Sequence, residues 1–172
     1  MSGASERWVD LKPRLFSAAA MLTLGAVEIW LGGISFLVLV TFVTALMIWE
    51  LSTITAPGKP VLALVMAGMA ALSLILDEGY PSMSAWLLFP WVVAAVALTP
   101  RKEPFAAAVI ATGIMVSGHG LFVLRDEAGT AAILWLLGVV IASDVMGYFA
   151  GRILGGAKFW PSVSPKLSLI HI

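Results

Sequence analysis

The residues best suited to chemistry lie near the end of the printed sequence, where an apolar run carries one carboxylate, Asp144. Three cations and a hydroxyl follow it: Arg152, Lys158, Lys166 and Ser164. A carboxylate at the mouth of a membrane helix can hold a divalent metal ion, because hard cations prefer oxygen ligands. Arginine and lysine match the oxygens of phosphate. These residue types together indicate a site where a metal ion and a phosphate-bearing molecule meet.

A repeat of glycines at four-residue spacing runs through the same segment, at Gly147, Gly151 and Gly155. Close helix packing is the simplest interpretation of this repeat, since small residues let helices approach each other. Packing does not account for Asp144, because an ionisable residue at membrane depth is costly and is by default a candidate for function. Tyr148 follows four residues after Asp144, which places both on one helix face.

The composition indicates an all-α, polytopic integral membrane protein. Hydrophobic residues make up 60% of the chain and charged residues 12%, whereas a soluble domain has about 45–50% and about 25%. A bilayer crossing needs about 20 apolar residues. The sequence has six apolar runs close to that length, at 15–31, 34–51, 60–76, 83–99, 104–124 and 130–150. We therefore predict a helical bundle of about six transmembrane helices. The absence of cysteine excludes disulfides and thiolate chemistry.

The basic residues predict an orientation in the membrane. If the N-terminus is cytoplasmic, only Arg125 falls on the outside, and the nine other basic residues fall inside: Arg7, Lys12, Arg14, Lys59, Arg101, Lys102, Arg152, Lys158 and Lys166. Cytoplasmic loops carry such an excess of Lys and Arg. We therefore expect a cytoplasmic segment at 1–14, a six-span domain at 15–150 and a second cytoplasmic segment from residue 151 onward.

Three other ionisable residues lie in or beside the apolar runs. For Glu28 we favour an interfacial carboxylate that reaches water, as long polar side chains do near membrane ends. Glu50 closes the second run, and either a solvated position or a place near a site is open. His119 lies between two glycines, and we favour a packed, hydrogen-bonded core histidine there.

From Ser143 to Lys166 the sequence resembles the phosphatidate cytidylyltransferase family, the CDP-diacylglycerol synthases. Those enzymes carry an Asp, an aromatic residue, a Gly-Arg, a glycine-rich basic turn, a Pro and a Ser-Pro-Lys. The matching residues are Asp144, Tyr148, Gly151, Arg152, Gly155, Lys158, Pro161, Ser164, Pro165 and Lys166. The segment Leu11-Lys12-Pro13-Arg14 and the position of Glu50 also look like the family.

The resemblance implies a nucleotidyltransferase of phospholipid biosynthesis that converts CTP and phosphatidate into CDP-diacylglycerol and pyrophosphate. It implies Mg²⁺ as cofactor and Asp144 as a catalytic, metal-binding carboxylate. It implies that Arg152, Lys158 and Lys166 contact substrate phosphates and that Ser164 donates to one of them. We also expect a multi-pass protein of the inner (plasma) membrane, a homodimer, and no nucleic-acid partner.

After Lys166 the family pattern continues with a second Lys, a Thr and later carboxylates, whereas this sequence reads Leu-Ser-Leu-Ile-His-Ile. We therefore expect a chain truncated after Lys166, with a non-native tail at 167–172, most metal ligands missing and no activity by itself. Two alternatives stay open. One is a transporter segment in which Asp144 relays ions or protons, and the other is a structural membrane subunit that packs through its glycines.

Overall fold

A computed structural model describes the backbone of residues 3–79 and 85–153, and the side chains of residues 16–17, 19–79 and 88–150. It contains five helices: α1 (Gly3–Leu31), α2 (Gly33–Thr55), α3 (Pro60–Gly79), α4 (Ala85–Leu98) and α5 (Pro104–Ile153). The described residues form no strand. The predicted all-α membrane helical bundle is confirmed.

Three of these helices are long and apolar enough to cross a membrane within the part of the chain that the structure describes. They are α2, α3 and the stretch Pro104–Ala150 of α5. The apolar parts of α1 and α4 are shorter, at Ala19–Leu31 and Leu88–Leu98. α1 begins at Gly3, so its helix starts well before the first predicted span at 15–31.

The link predicted between the fifth and sixth spans, residues 125–129, contains the interruption that the structure shows in α5. That interruption is at Gly129, whose φ of 78° and ψ of −176° are non-helical. The charged residues Arg125, Asp126 and Glu127 of the same link stay helical. A charged run at a membrane surface does not need to leave the helix, whereas these backbone angles are accessible almost only to glycine.

The chain divides into two compact units, residues 1–130 and 131–172. The core of the first unit is built by α2, α3, α4 and the beginning of α5, and its most buried large side chains are Ile48, Met115, Val92 and Val96. Gly118 on α5 lies against α2, and a Cβ at this position would collide with the side chain of Thr44. Glycine therefore sets how closely α5 and α2 approach in this unit.

Large apolar side chains also cover the outside of both units. Trp30 is 80% exposed in the first unit, and Trp135 is 73% exposed in the second. In water such surfaces mark interaction sites, but a membrane helix presents apolar side chains to lipid while its backbone groups are bonded within the helix. The distribution fits a protein whose solvent is the bilayer.

Candidate active site

Asp144 lies on α5 within the second unit, and its side chain is exposed. The neighbouring Ser143 turns back onto its own helix, where its Oγ donates to the carbonyl oxygen of Val140 at 2.8 Å. Ser143 is therefore occupied locally. No hydrogen bond or ion pair joins Asp144 to another residue that the structure describes. Its carboxylate is available to a ligand.

The aromatic residue of the motif follows one helical turn later. Tyr148 is exposed, and its ring meets the ring of Phe149 edge-on, with 5.6 Å between the ring centroids. Tyr148 and Asp144 are four residues apart on a continuous helix, so they share the face that the sequence predicted. The helix thus presents a carboxylate and an aromatic side chain side by side.

The other predicted site residues are described only in part. Arg152 lies within α5, eight residues after Asp144, which separates the two Cα atoms by about 12 Å along the helix axis. Its side chain lies outside the described residues, as do Lys158, Ser164 and Lys166 altogether. Their roles as substrate contacts, and the catalytic role of Asp144, stay predictions.

The described residues contain no group of three or more His, Asp or Glu side chains able to hold a metal ion. Asp144 nevertheless has the donor chemistry of a magnesium ligand. Mg²⁺ is commonly held by one or two carboxylates, with substrate phosphates and water completing the coordination. An exposed carboxylate without a protein partner among the described residues fits one such position.

Two polar groups of the first unit fill structural roles. His119 Nδ1 lies 2.9 Å from Asp77 Oδ2, and the His119 ring meets the Phe89 ring edge-on at 5.4 Å. His119 therefore packs and has a polar partner as predicted, but its side chain is 32% exposed, so the prediction of a core position is wrong. Glu28, half-buried at the end of α1, accepts a hydrogen bond from the Ser35 hydroxyl at the start of α2. Glu50 is exposed.

A cluster of cations in the first unit was not predicted as a site. It lies where the turn between α2 and α3 meets the turn between α4 and α5. We call it the basic junction and define it as Lys59, Arg101 and Lys102. From the sequence, Lys59, Arg101 and Lys102 indicated only the orientation of the protein in the membrane. The visible signal was the dipeptide Arg101-Lys102 directly after Pro100.

Comparison with known proteins gives this chain a family. The sequence pattern described as the Cytidylyltransferase family matches residues 12–169. The chain is 27% identical to the phosphatidate cytidylyltransferase of Brucella abortus biovar 1 over 171 residues, which cover 91% of this chain and 60% of that protein. The Helicobacter pylori J99 protein of the same name is 35% identical over 95 residues, covering 54% of this chain and 34% of that protein.

A shorter match is closer in sequence. The phosphatidate cytidylyltransferase of Helicobacter pylori 26695 is 44% identical over 54 residues, which cover 31% of this chain and 20% of that protein. The chain spans about three fifths of the length of the Brucella relatives. No solved structure matches the chain. The family pattern covers nearly the whole chain, and the chain therefore belongs to the cytidylyltransferase family.

Proposed function

We propose that the protein transfers the cytidylyl group of CTP to phosphatidate and so makes CDP-diacylglycerol and pyrophosphate. The observation that carries this proposal is the family match over residues 12–169, with relatives named phosphatidate cytidylyltransferase. The same match favours an enzyme over the transporter segment and the structural subunit.

In this reaction a phosphate oxygen of the lipid attacks the α-phosphorus of CTP. The new oxygen–phosphorus bond forms as the bond from the α-phosphorus to the bridging oxygen of the β-phosphate breaks, and pyrophosphate leaves with that electron pair. Phosphoryl-type transfers are catalysed mainly by positioning and by neutralising charge. A membrane protein suits the reaction, because the lipid substrate arrives within the bilayer and CTP arrives from water.

We assign the roles as follows. Asp144 is the metal-side carboxylate, and its exposure without a described partner supports that assignment. Arg152, Lys158 and Lys166 contact substrate phosphates, and Ser164 donates a hydrogen bond to one of them. Mg²⁺ held by Asp144 would supply positive charge that neutralises the phosphates. The homodimer stays a prediction.

We also propose that the protein lies in the inner membrane with Lys102 on the cytoplasmic side and Glu127 outside. The asymmetry of basic residues supports this orientation. Because the chain has no cysteine, Lys102→Cys and Glu127→Cys each create a unique thiol at an exposed side chain. A membrane-impermeant thiol reagent applied to intact cells should label Glu127→Cys and not Lys102→Cys. Labelling of Lys102→Cys and not of Glu127→Cys would show that the orientation is the reverse of the proposed one.

The reaction itself is tested with the full-length gene product purified in detergent. Incubated with CTP, phosphatidate and Mg²⁺, it should form CDP-diacylglycerol and pyrophosphate in equal amounts, and a chelator should stop both. Folded protein that forms neither product under these conditions would contradict the proposal.

A further inference from the structure

Two hydrogen bonds to backbone carbonyl oxygens join two turns of the first unit at the basic junction. The N–H of Lys102 donates to the carbonyl oxygen of Thr55 at 2.7 Å, and Lys59 Nζ donates to the carbonyl oxygen of Pro100 at 3.1 Å. These links hold the end of α2 against the segment that precedes α5. Lys59, Arg101 and Lys102 are thereby brought close to one another where the two turns meet.

Arg101 is the inward member of the junction. Its Nη1 donates to Thr55 Oγ1 at 3.0 Å, but its Nε and Nη2 are buried and have no acceptor among the described residues. A buried donor without an acceptor loses its bonds to water and gains none in return. Burial also lowers the pKa of Arg101 from its usual value, since water no longer solvates the charge fully.

A second hydroxyl on α2 is also buried without a hydrogen-bond partner. Ser52 is 1% exposed, and its Oγ has no partner in the described part of the chain. It precedes Thr55 by three residues on α2, so both hydroxyls lie on the same helix face. One hydroxyl accepts from the guanidinium, and the other is buried and unused.

The charges around Arg101 do not neutralise it. Lys59 and Lys102 are exposed and add positive charge. The following residue, Glu103, is also exposed, and no described carboxylate forms an ion pair with any of the three cations. Cations gathered without carboxylate partners attract anions, and this attraction is strong where water is partly excluded.

The two unused nitrogens of Arg101 have a particular geometry. Nε–H and the adjacent N–H of Nη2 lie on one edge of the planar guanidinium and point the same way. This edge meets two oxygens of a phosphate or carboxylate in a bidentate pair. The junction therefore holds an unoccupied bidentate donor edge and two further cations.

We infer that the basic junction binds the phosphate of an anion through the Nε and Nη2 edge of Arg101, with Lys59 and Lys102 adding charge. The junction lies where α2 and α3, both long enough to cross a membrane, are connected. Such a place lies at headgroup depth, and clustered basic residues there attract anionic lipids. The phosphate comes either from a lipid headgroup or from a free phosphate in water. The inference shares no residue with the proposed function.

The test measures binding to purified protein in a zwitterionic detergent by isothermal titration calorimetry. The probes are short-chain phosphatidylglycerol, short-chain phosphatidylcholine and inorganic phosphate. Phosphatidylglycerol is chosen because it is neither substrate of the proposed reaction, so failure of one proposal does not decide the other. The unsubstituted protein should bind phosphatidylglycerol and should bind phosphatidylcholine much more weakly.

Three variants distinguish an anion-binding role of Arg101 from a purely structural role. Arg101→Gln should weaken binding roughly tenfold or more, because charge-assisted hydrogen bonds are lost. Arg101→Lys keeps the charge but removes the bidentate edge, so it should weaken binding to an intermediate degree. Thr55→Val removes the internal acceptor of Nη1 and leaves the edge intact, so it should keep the affinity within a few-fold. Thermal unfolding of each variant confirms that it is folded.

The probes also identify the source of the phosphate. Binding of inorganic phosphate that depends on Arg101 assigns the site to free phosphate, and dependence seen only with phosphatidylglycerol assigns it to a headgroup; both outcomes support the inference. Equal affinity of the unsubstituted protein and Arg101→Gln for every probe overturns it, and so does a loss of binding in Thr55→Val as large as in Arg101→Gln.

Discussion

Arg125 and Arg101 lie near opposite ends of α2 and use the same two nitrogens differently. Arg125 Nε donates to the carbonyl oxygen of Ile29 at 2.7 Å, and its Nη2 donates to that of Trp30 at 3.3 Å. Both carbonyls belong to the last turn of α1. Carbonyl oxygens in the last turn of a helix have no hydrogen-bond donor within that helix. In Arg101 these two nitrogens are buried without acceptors among the described residues.

The comparison shows how one residue type can serve a fold or serve a ligand. The cation of Arg125 is placed at the negative end of a helix, where it is stabilised by the helix dipole as well as by hydrogen bonds. Arg101 donates a single hydrogen bond, to the hydroxyl of Thr55. We expect that substitution of Arg125 mainly lowers the free energy of unfolding, and that substitution of Arg101 mainly weakens anion binding.

The largest expected effect on stability comes from Gly32, which makes room for Arg125. Its φ is 65° and its ψ is −159°, and a Cβ at this position would lie 2.6 Å from Arg125 Nη2. Gly32→Ala should lower the free energy of unfolding by about 2–5 kcal/mol, since it adds backbone strain and displaces the guanidinium. Thermal unfolding in detergent measures the loss.

Gly33 is the matched control for Gly32. Its φ of 51° is also positive, but a Cβ there would meet nothing within 4 Å. Gly33→Ala should therefore cost only the backbone term, about 1–2 kcal/mol. If the two alanine variants are equally destabilised, the Arg125 contact contributes nothing and the comparison of the two arginines fails.

A smaller effect is expected from replacing the arginines themselves. Arg125→Gln removes charge-assisted bonds to the end of α1 and should cost about 1–3 kcal/mol. Arg101→Gln loses one bond to a hydroxyl but also removes two buried, unbonded N–H groups, so it should stay within about 1 kcal/mol of the unsubstituted protein. Parallel denaturation of the two variants measures the difference. A larger loss for Arg101→Gln would make it the structural arginine of the pair.

Much of the helix pattern could be predicted from the sequence, because membrane helices need long apolar runs and end at turn residues. The first three predicted runs leave links at 32–33 and 52–59, and the boundaries between α1, α2 and α3 fall in or beside these links. The interruption of α5 at Gly129 also lies within the predicted link 125–129. The sequence did not indicate that the Arg125 side chain bonds to the end of α1 while its own backbone stays helical. A local charge pattern does not reveal such a distant partner.

The candidate site was predictable to a different extent. The position of Asp144 on an apolar helix, with Tyr148 on the same face, follows from helical spacing. The basic junction did not emerge as a site, because Arg101 differs from Arg125 only in its burial and its acceptors. Those properties depend on how the α2–α3 and α4–α5 turns meet, which residue types alone do not specify.

The proposed role of Asp144 is tested most directly by turnover of the full-length gene product with Asp144→Asn. This change keeps the size of the side chain and removes its charge. Asp126→Asn is the matched control, because it changes another exposed carboxylate of α5. We predict that CDP-diacylglycerol formation falls by orders of magnitude in Asp144→Asn and stays within a few-fold in Asp126→Asn, with both proteins folded. Turnover of Asp144→Asn within a few-fold of the unsubstituted protein, with the same dependence on Mg²⁺, would contradict the account.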